Sequence, residues 1–305
     1  MKTDAKPFLK WAGGKSQLLN ELDARLPVEL KNKKTIKRYI EPFVGGGAFF
    51  FYLKRKYDIG FSYLFDTNQD LILTYKVIQK KPHELIKKLN GIKNRYLRKN
   101  TEDREAYYYR LRKRYNNQKK KINYTNYSDI WLKRAAYFIF LNKTCFNGLH
   151  RLNKNAEFNV PFGKYKNPKI LDKNNILNVH KALKNTKIYS KDFSKSTKFV
   201  KKETLIYCDP PYRPLNTTSS FTSFTEDGFS DGDQRRLASY YKDMSKKEGV
   251  YLILSNSDPQ NHNPSDSFFE KLYNDFIIDK VDANRIINCD AKKRGTIKEL
   301  IITNS

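Results

Sequence analysis

The chain has few cysteines and histidines. It contains three cysteines and four histidines, with no CxxC pair and no spacing typical of metal ligands. Zinc sites place Cys and His at short, regular spacings, and disulfide frameworks need paired cysteines. We therefore predict neither a metal site nor a disulfide framework. The residues concerned are Cys145, Cys208, Cys289, His83, His150, His180 and His262.

Long apolar runs are also missing. No stretch approaches the roughly 18 consecutive apolar residues of a membrane span. The N-terminal stretch MKTDAKPFLKWAGGK lacks the apolar segment of a secretory signal. These absences argue against a membrane-spanning or exported protein, and the sequence predicts a protein of the reducing cytoplasm.

Acidic residues are scarce relative to basic ones. The 305 residues include 60 Lys and Arg against 32 Asp and Glu, a formal charge of +28, and the basic residues are spread along the whole length. Such an excess favours a polyanionic partner and binding that weakens as salt rises. A general compositional bias towards lysine is the alternative interpretation. The length fits one large domain or two moderate ones.

The most informative stretch present is CDPPY at residues 208–212. Residues 204–208 (TLIYC) predict a buried strand, which two successive prolines must end. Proline also fixes the directions of the main-chain carbonyls of Asp209 and Pro210. An amino group could donate one hydrogen to the Asp209 carboxylate and the other to one of these carbonyls. Tyr212 would then stack on the ring that carries this amino group. The alternative is a plain turn at Pro210 and Pro211, with Asp209 as a local cap.

A second pattern is the glycine-rich turn EPFVGGG at residues 41–47. It follows a predicted strand at 36–41 and precedes an apolar helix at 48–53, and another strand at 61–65 ends at Asp66. Strand, turn, helix and strand form a βαβ unit, which predicts a parallel sheet. The glycines Gly45, Gly46 and Gly47 let a ligand approach the backbone and the free N–H groups of the helix.

Phe50 stands where the dinucleotide-binding fingerprint needs glycine or alanine, so a dehydrogenase is disfavoured. Asp66 follows Gly45 at a distance where a strand-end carboxylate binds a ribose diol in open α/β sheets. Its alternative role is to cap a helix that starts near Leu71. The two patterns together describe a nucleotide-type site facing a base pocket.

The middle of the chain has a different character. Residues 69–171 are rich in Lys, Arg, Tyr and Asn and show helical periodicity, whereas strand patterns return at 187–190, 204–208, 250–254 and 298–303. We therefore predict an α/β protein with a mostly parallel sheet, formed by residues 1–68 and 172–305 and split by a helical insertion at 69–171. Residues 213–229 predict a loop beside the site, and residues 95–127 carry no motif that we can assign.

Several motifs together resemble one family. In their order along the chain they are similar to those of the Dam-type, alpha-class DNA adenine-N6 methyltransferases, and above all to the GATC-specific enzymes of restriction and modification systems. The resemblance covers nearly the whole chain. It is carried by PFLKWAGGK (7–15), EPFVGGG (41–47), DTN (66–68), FNGLHRLN (146–153), EFNVPFGKY (157–165), CDPPY (208–212) and LSNSD (254–258).

The resemblance implies a Rossmann-like methyltransferase fold that uses S-adenosylmethionine, with S-adenosylhomocysteine as the product and no metal. It implies methyl transfer to N6 of an adenine flipped out of duplex DNA, within GATC, by the catalytic residues Asp209, Pro210, Pro211 and Tyr212. The cofactor would be contacted by Trp11, Lys15, Asp66 and Asp209 and enclosed by Phe43, Gly45, Gly46 and Gly47. Taken alone, Trp11 suits a core position and Lys15 a solvated one.

The resemblance also implies a sequence-reading hairpin at residues 146–165 within the helical recognition domain. Phe146 would wedge into the duplex, Asn147 and Leu149 would contact bases, and Arg151 would read a guanine. Further contacts are implied for Lys10, Pro161 and Tyr165. The alternatives are a core position for Phe146, a turn at Asn147, a solvated charge at Arg151 and a strand breaker at Pro161.

Other functions remain open at this point. Cytosine-N4 or RNA methylation and a non-catalytic, basic DNA-binding role are the alternatives. A bacterial or phage-encoded enzyme that associates with the nucleoid, beside a cognate restriction endonuclease, is the expected setting.

Overall fold

A seven-stranded sheet forms the centre of the computed structural model, which describes residues 3–11, 13–213, 229–284 and 296–305. The spatial order is β3-β2-β1-β4-β5-β7-β6, and only β7 runs antiparallel to its neighbours. This confirms the predicted α/β fold with a mostly parallel sheet. The strands are β1 (Thr35–Glu41), β2 (Asp58–Asp66), β3 (Thr186–Ser190), β4 (Thr204–Cys208), β5 (Val250–Ser257), β6 (Ile277–Asn284) and β7 (Thr296–Thr303).

Ten helices accompany these strands in the described ranges. Helices are present in the region of predicted helical periodicity, where the side chains of Asn68 and Asn100 cap the helices that begin at Gln69 and Thr101. The first helix begins at Leu19. The helices are α1 (Leu19–Ala24), α2 (Val28–Lys33), α3 (Ala48–Lys56), α4 (Gln69–Lys80), α5 (Pro82–Leu97), α6 (Thr101–Lys119), α7 (Asp129–Thr144), α8 (Lys173–Ala182), α9 (Asp231–Ser245) and α10 (Phe268–Leu272).

Both faces of the sheet are buried. Alternate residues of β4 point to opposite sides: Leu205 and Tyr207 join a core with α3 to α8, whereas Ile206 and Cys208 join a core with α9 and α10. A strand covered on both faces has no polar side, which explains why TLIYC reads as a continuous apolar run. None of the helices described is long and apolar enough to cross a membrane.

A buried ion pair connects α4 to the helices that follow. Asp70 accepts hydrogen bonds from Arg134, from Tyr115 Oη at 2.6 Å and from Tyr124 Oη at 2.9 Å. Arg134 is only 1% exposed, and its Nη1 also donates to the Tyr115 carbonyl. The contacts therefore join α4, α6 and α7 into one unit beside β3. A division of the chain at residues 69 and 171 stays a prediction.

Candidate active site

The strand order reverses between β1 and β4, and ligands of open α/β sheets bind at the carboxyl ends of strands at such a point. Glu41 ends β1, Asp66 ends β2 and Asp209 follows β4. The topology therefore brings the glycine turn, the strand-end acid and the CDPPY stretch to one edge of the sheet, as their positions in the sequence predict.

The glycine turn is held by hydrogen bonds from both sides. Gly45 and Gly47 have φ values of 46° and 69°, in the left-handed region that favours glycine. Gly45 N donates to Asp66 Oδ2 at 3.0 Å, and Asn68 N donates to Asp66 Oδ1 at 2.8 Å. The cap of α4 is Asn68, so the alternative assignment of Asp66 as that cap is wrong. Asp66 instead braces the turn, and burial raises its pKa to about 6.

Trp11 lies directly on the glycine turn. A Cβ atom added to Gly45 would come within 2.9 Å of Trp11 Cδ1 and Nε1, and one added to Gly46 within 3.1 Å of Trp11 Cβ. The indole therefore occupies the space that side chains would take. On its other side it stacks on the His150 ring, with centroids 5.6 Å apart. Trp11 thus joins the turn to the segment that follows α7.

Two side chains hold one carboxylate oxygen of Asp209. Its Oδ1 lies 2.6 Å from Lys15 Nζ and accepts a hydrogen bond from Ser255 Oγ at 3.1 Å. Among the described residues, Oδ2 has no hydrogen-bond partner. Burial raises the pKa of Asp209 above its usual range, although the Lys15 charge and both hydrogen bonds act to lower it. The result is a fixed carboxylate with one oxygen free for a ligand.

The ring of Tyr212 is held in place from two directions. Its hydroxyl donates to Glu299 Oε2 at 2.6 Å, and Lys15 Nζ lies 4.5 Å from the ring centroid. Gln234 Nε2 donates to the carbonyl of Pro211 at 3.2 Å. The strand-ending prolines and these contacts together make the CDPPY stretch rigid.

A third carboxyl group lies at the same edge. Glu41 is 2% exposed and accepts a hydrogen bond from Tyr39 Oη at 2.8 Å. Burial raises its pKa well above the usual range, and the charges of Asp209 and Asp66 raise it further, whereas the Tyr39 hydrogen bond lowers it. Like charges that lie close together have this effect on Glu41, whereas at Asp209 the Lys15 charge acts in the opposite direction. A ligand that carries positive charge would lower the pKa of Glu41.

Phe43 contributes an apolar wall. It is half-buried and contacts the rings of Phe193 at 5.5 Å and Phe229 at 5.7 Å. Cys208, the cysteine next to the catalytic candidates, is fully buried in β4. A role for it as a nucleophile is excluded by this position, which agrees with the prediction that the strand buries it.

The segment after α7 folds back on itself. Antiparallel bridges pair Cys145 with Phe162 and Leu152 with Phe158, and Phe146 N donates to the Pro161 carbonyl at 2.9 Å. Phe146 is 47% exposed, so the alternative of a core position is wrong.

The predicted DNA contacts lie on or beside this turn. Arg151 is half-buried, and its Nε donates to Asn159 Oδ1 at 2.9 Å. Asn147 and Pro161 are exposed, while Leu149 is partly buried. Lys10 lies next to the fold-back, with its Nζ 4.7 Å from the Tyr165 ring.

Several residues that contribute to the site were not predicted from the sequence. Asn142 binds the Lys10 backbone in both directions at 2.8 Å and donates to the Gly148 carbonyl at 2.9 Å, which attaches the N-terminal segment to the fold-back. Ser255 lies within the LSNSD motif, which was a usable signal. Glu41 begins the EPFVGGG motif and Glu299 lies within β7, and only the tertiary fold gives these two acids a role at the site. Within the described ranges no three His, Cys, Asp or Glu residues form a metal-binding group.

Comparisons with known proteins agree with this geometry. A family profile described as "D12 class N6 adenine-specific DNA methyltransferase" matches residues 11–287. The chain is similar to the Type II methyltransferase M.MjaIII of Methanocaldococcus jannaschii, at 49% identity over 302 residues and 99% of both chains. It is 38% identical to the Type II methyltransferase M1.LlaDCHI of Lactococcus lactis subsp. cremoris, over 99% of this chain and 96% of that one. A DNA adenine methylase of Haemophilus influenzae is 34% identical, over 98% and 94%.

Proposed function

The chain belongs to the D12 class of N6 adenine-specific DNA methyltransferases, and we propose that it methylates the adenine of GATC in duplex DNA after this base has left the helix. The family membership makes adenine N6 the acceptor and S-adenosylmethionine the methyl donor. It disfavours cytosine N4 methylation, RNA methylation and a non-catalytic role. The choice of GATC is supported by the resemblance of residues 146–165 to the recognition segment of GATC-specific enzymes.

The residues at the sheet edge fit S-adenosylmethionine. This molecule carries a sulfonium charge, an amino acid group and an adenosine, and it supplies an electrophilic methyl group when bound. Lys15 provides a cation for its carboxylate, whereas the acids Glu41, Asp66 and Asp209 suit its positive groups and ribose hydroxyls. Phe43 and Trp11, whose indole packs on Gly45 and Gly46, would form apolar walls of its pocket.

The observation that carries the catalytic proposal is the free Oδ2 of Asp209 beside the fixed Pro210. An adenine amino group is a poor nucleophile because its lone pair is delocalised into the ring. Hydrogen bonds to Asp209 Oδ2 and to the Pro210 carbonyl would favour a tetrahedral nitrogen and free that lone pair. Pro211 keeps this geometry stiff because its own carbonyl is engaged by Gln234. Positioning and electrostatics would then supply most of the acceleration.

Removal of the adenine from the stack costs a few kcal/mol. Stacking on an aromatic side chain returns about 1 to 3 kcal/mol per base. Tyr212 suits this role because its ring is held by Glu299 and Lys15 before any base arrives. The exposed Phe146 suits insertion into the space that the adenine vacates.

We further propose that Lys10, Asn147, Leu149, Arg151, Pro161 and Tyr165 form the remaining DNA contacts, within a recognition domain of residues 69–171. The net charge of +28 would make binding strongly dependent on salt. Because two relatives are named Type II methyltransferases, we propose that a cognate endonuclease acts in the same cell.

The test is transfer of a tritiated methyl group to duplexes that differ only in the order of four base pairs. We expect label in the GATC duplex, at adenine N6, and little in a GTAC duplex. Equal labelling of both duplexes would overturn the sequence preference while leaving the chemistry. Asp209→Ala should abolish transfer but keep DNA binding, and 2-aminopurine placed at the target adenine should gain fluorescence on binding. Unchanged fluorescence would contradict base flipping.

A further inference from the structure

One face of α6 holds the returning strand of the fold-back segment. We propose that this face, formed by Tyr108, Arg112, Asn116 and Lys119 and called the α6 template, sets the register of that segment and so determines which base pairs the protein distinguishes. The inference rests on the proposed role of residues 146–165 in reading DNA. It assigns a function to part of the stretch 95–127, for which no motif predicts one.

The contacts of the α6 template follow a repeat. Tyr108 Oη donates to the Val160 carbonyl at 2.7 Å, and Arg112 Nη1 donates to the same oxygen at 3.1 Å. Further along the helix, Lys119 Nζ donates to the Ala156 carbonyl at 2.9 Å. Every bond runs from a helix side chain to a backbone group, so this arrangement does not depend on which side chains the fold-back carries.

Asn116 makes the central contact and makes it twice. Its Oδ1 accepts a hydrogen bond from Phe158 N at 3.0 Å, and its Nδ2 donates to the Phe158 carbonyl at 3.1 Å. This is how a neighbouring strand would pair with Phe158. The other edge of the same strand is already paired, since Asn153 N donates to the Glu157 carbonyl and Asn159 N to the Arg151 carbonyl. Asn116 therefore replaces the missing strand on the open edge.

The spacing of the two elements explains the match. Four helix residues advance about 6 Å along the axis, and two strand residues advance about 6.6 Å. On the strand, Phe158 and Val160 accordingly face one edge, and Ala156 lies in the turn just before them, with a φ of 54°. A slip of the strand by one residue would turn these groups to the opposite edge and leave the α6 template without partners.

Asn159 connects the register of the strand to Arg151, the residue predicted to read a guanine. Asn159, the neighbour of Phe158, binds Arg151 twice: its N donates to the Arg151 carbonyl at 3.2 Å, and its Oδ1 accepts from Arg151 Nε at 2.9 Å. The position of Phe158 therefore determines where Asn159 places the Arg151 guanidinium. Asn116 is in this sense a positioning residue that acts on DNA through the fold-back.

The experiment compares Asn116→Ala with Asn117→Ala, its exposed neighbour on the same helix. The readout is the ratio of kcat/KM for a GATC duplex to that for a duplex with one outer base pair of the site exchanged. We expect the ratio to fall about tenfold or more in Asn116→Ala and to stay unchanged in Asn117→Ala. Binding of S-adenosylmethionine, measured by calorimetry, should be unaffected in both. A destabilised scaffold without a role in reading would lower both rates together and leave the ratio unchanged.

A milder variant keeps the test decisive should Asn116→Ala fold poorly. Lys119→Met removes the bond to Ala156 at an exposed position and should lower the ratio by a smaller factor. Amide hydrogen exchange at Phe158 should also become faster in Asn116→Ala. An unchanged ratio in both variants, with a wild-type protein that prefers GATC, would overturn the α6 template alone. A wild-type protein that shows no preference would overturn the proposed target sequence as well.

Discussion

Lys15 Nζ lies 2.6 Å from Asp209 Oδ1, although the two residues lie far apart in the sequence. Burial raises the pKa of Asp209 and the Lys15 charge opposes this rise, so Lys15→Met should raise that pKa further. If transfer needs the ionised carboxylate, activity is lost as pH falls through the pKa of Asp209. The acidic limb of the kcat/KM profile should therefore move to higher pH in Lys15→Met. Lys173→Met, at an exposed position on α8, is the control; an unmoved limb would contradict the pairing.

The hydroxyl and the ring of Tyr212 should contribute separately. Tyr212→Phe loses the hydrogen bond to Glu299 but keeps the ring. A hydrogen bond to a carboxylate is worth about 1.5 to 3 kcal/mol, so kcat/KM should fall by roughly tenfold to a hundredfold. Tyr212→Ala also loses the stacking surface and should fall by about a further 1 to 3 kcal/mol. Steady-state kinetics on the GATC duplex measures both. Equal losses in the two variants would show that the ring does not stack on the base.

Gly45→Ala should impair the turn beneath Trp11. The added Cβ would lie 2.9 Å from two indole atoms, at a residue whose φ is 46°. We expect weaker S-adenosylmethionine binding in calorimetry and a lower Tm. The matched control is Gly91→Ala within α5, where the nearest atom would be the end of Arg95 at 3.6 Å. That change should instead stabilise the protein by about 0.5 to 1 kcal/mol, and destabilisation by both would point to a general intolerance of alanine.

Loss of the ion pair between α4 and α7 should be costly. Arg134→Met leaves Asp70 buried without its cation, which typically costs about 3 to 5 kcal/mol in unfolding free energy. Arg114→Met, at an exposed position on α6, should change it little. Urea denaturation measures the difference, and a cost below about 1 kcal/mol would show that Asp70 relaxes into solvent.

The same pair sets an acid limit to stability. Burial alone would raise the pKa of Asp70, but the hydrogen bonds and charge of Arg134, with the two tyrosine hydroxyls, leave it below its ordinary value of 3.8. A carboxyl group whose pKa is lower in the folded state than in the unfolded state stabilises the fold at pH values above its unfolded pKa. This stabilisation is lost as pH falls through the folded pKa. Wild type should therefore lose stability below about pH 4 relative to a variant with both charges removed, Asp70→Asn with Arg134→Met. Parallel curves for the two proteins would contradict this assignment.

His150 should make stability pH-dependent at milder acidity. Burial lowers its pKa to about 4, and its ring nitrogens have no hydrogen-bond partners in the described part of the chain. The unfolded chain takes up a proton near pH 6.5, so the folded state should lose about 2 kcal/mol between pH 7 and pH 5. Because other acids titrate in this range, the measured quantity is the difference from His150→Phe. An equal pH dependence in both proteins would show that a water molecule or a proton reaches the imidazole.

The turns that form the site could be predicted because each depends on a few consecutive residues. Two prolines must end β4 at Asp209, and consecutive glycines after a strand must form a tight turn. β6 and α9 were missed because their charged residues hide the periodicity: IIDKVDAN alternates only in part. The predicted loop at 213–229 lies almost wholly outside the described residues, as does Cys289.

Contacts across the fold could not be predicted in the same way. Glu299 reads as a polar residue in an apolar strand, and nothing local connects it with Tyr212. The α6 template uses side chains that bind backbone groups, so the sequence of the partner strand holds no trace of the pairing. His150 is a polar residue type, yet its side chain packs in the core against the rings of Trp11, Phe138 and Phe158.

The place of β7 has a consequence for biosynthesis. This strand, Thr296–Thr303, lies between β5 and β6 in the sheet. Both neighbours precede it in the sequence, so β5 and β6 can join the same sheet only after β7 has been synthesised. While the ribosome still holds residue 303, β5 presents an open edge and Tyr212 has no Glu299 to hold it. A nascent chain can therefore form its glycine turn and α4 to α7 before β7 is made, but we expect no methyl transfer until β7 has been translated. Ribosome-bound chains stalled before residue 296 should bind DNA and transfer no methyl group.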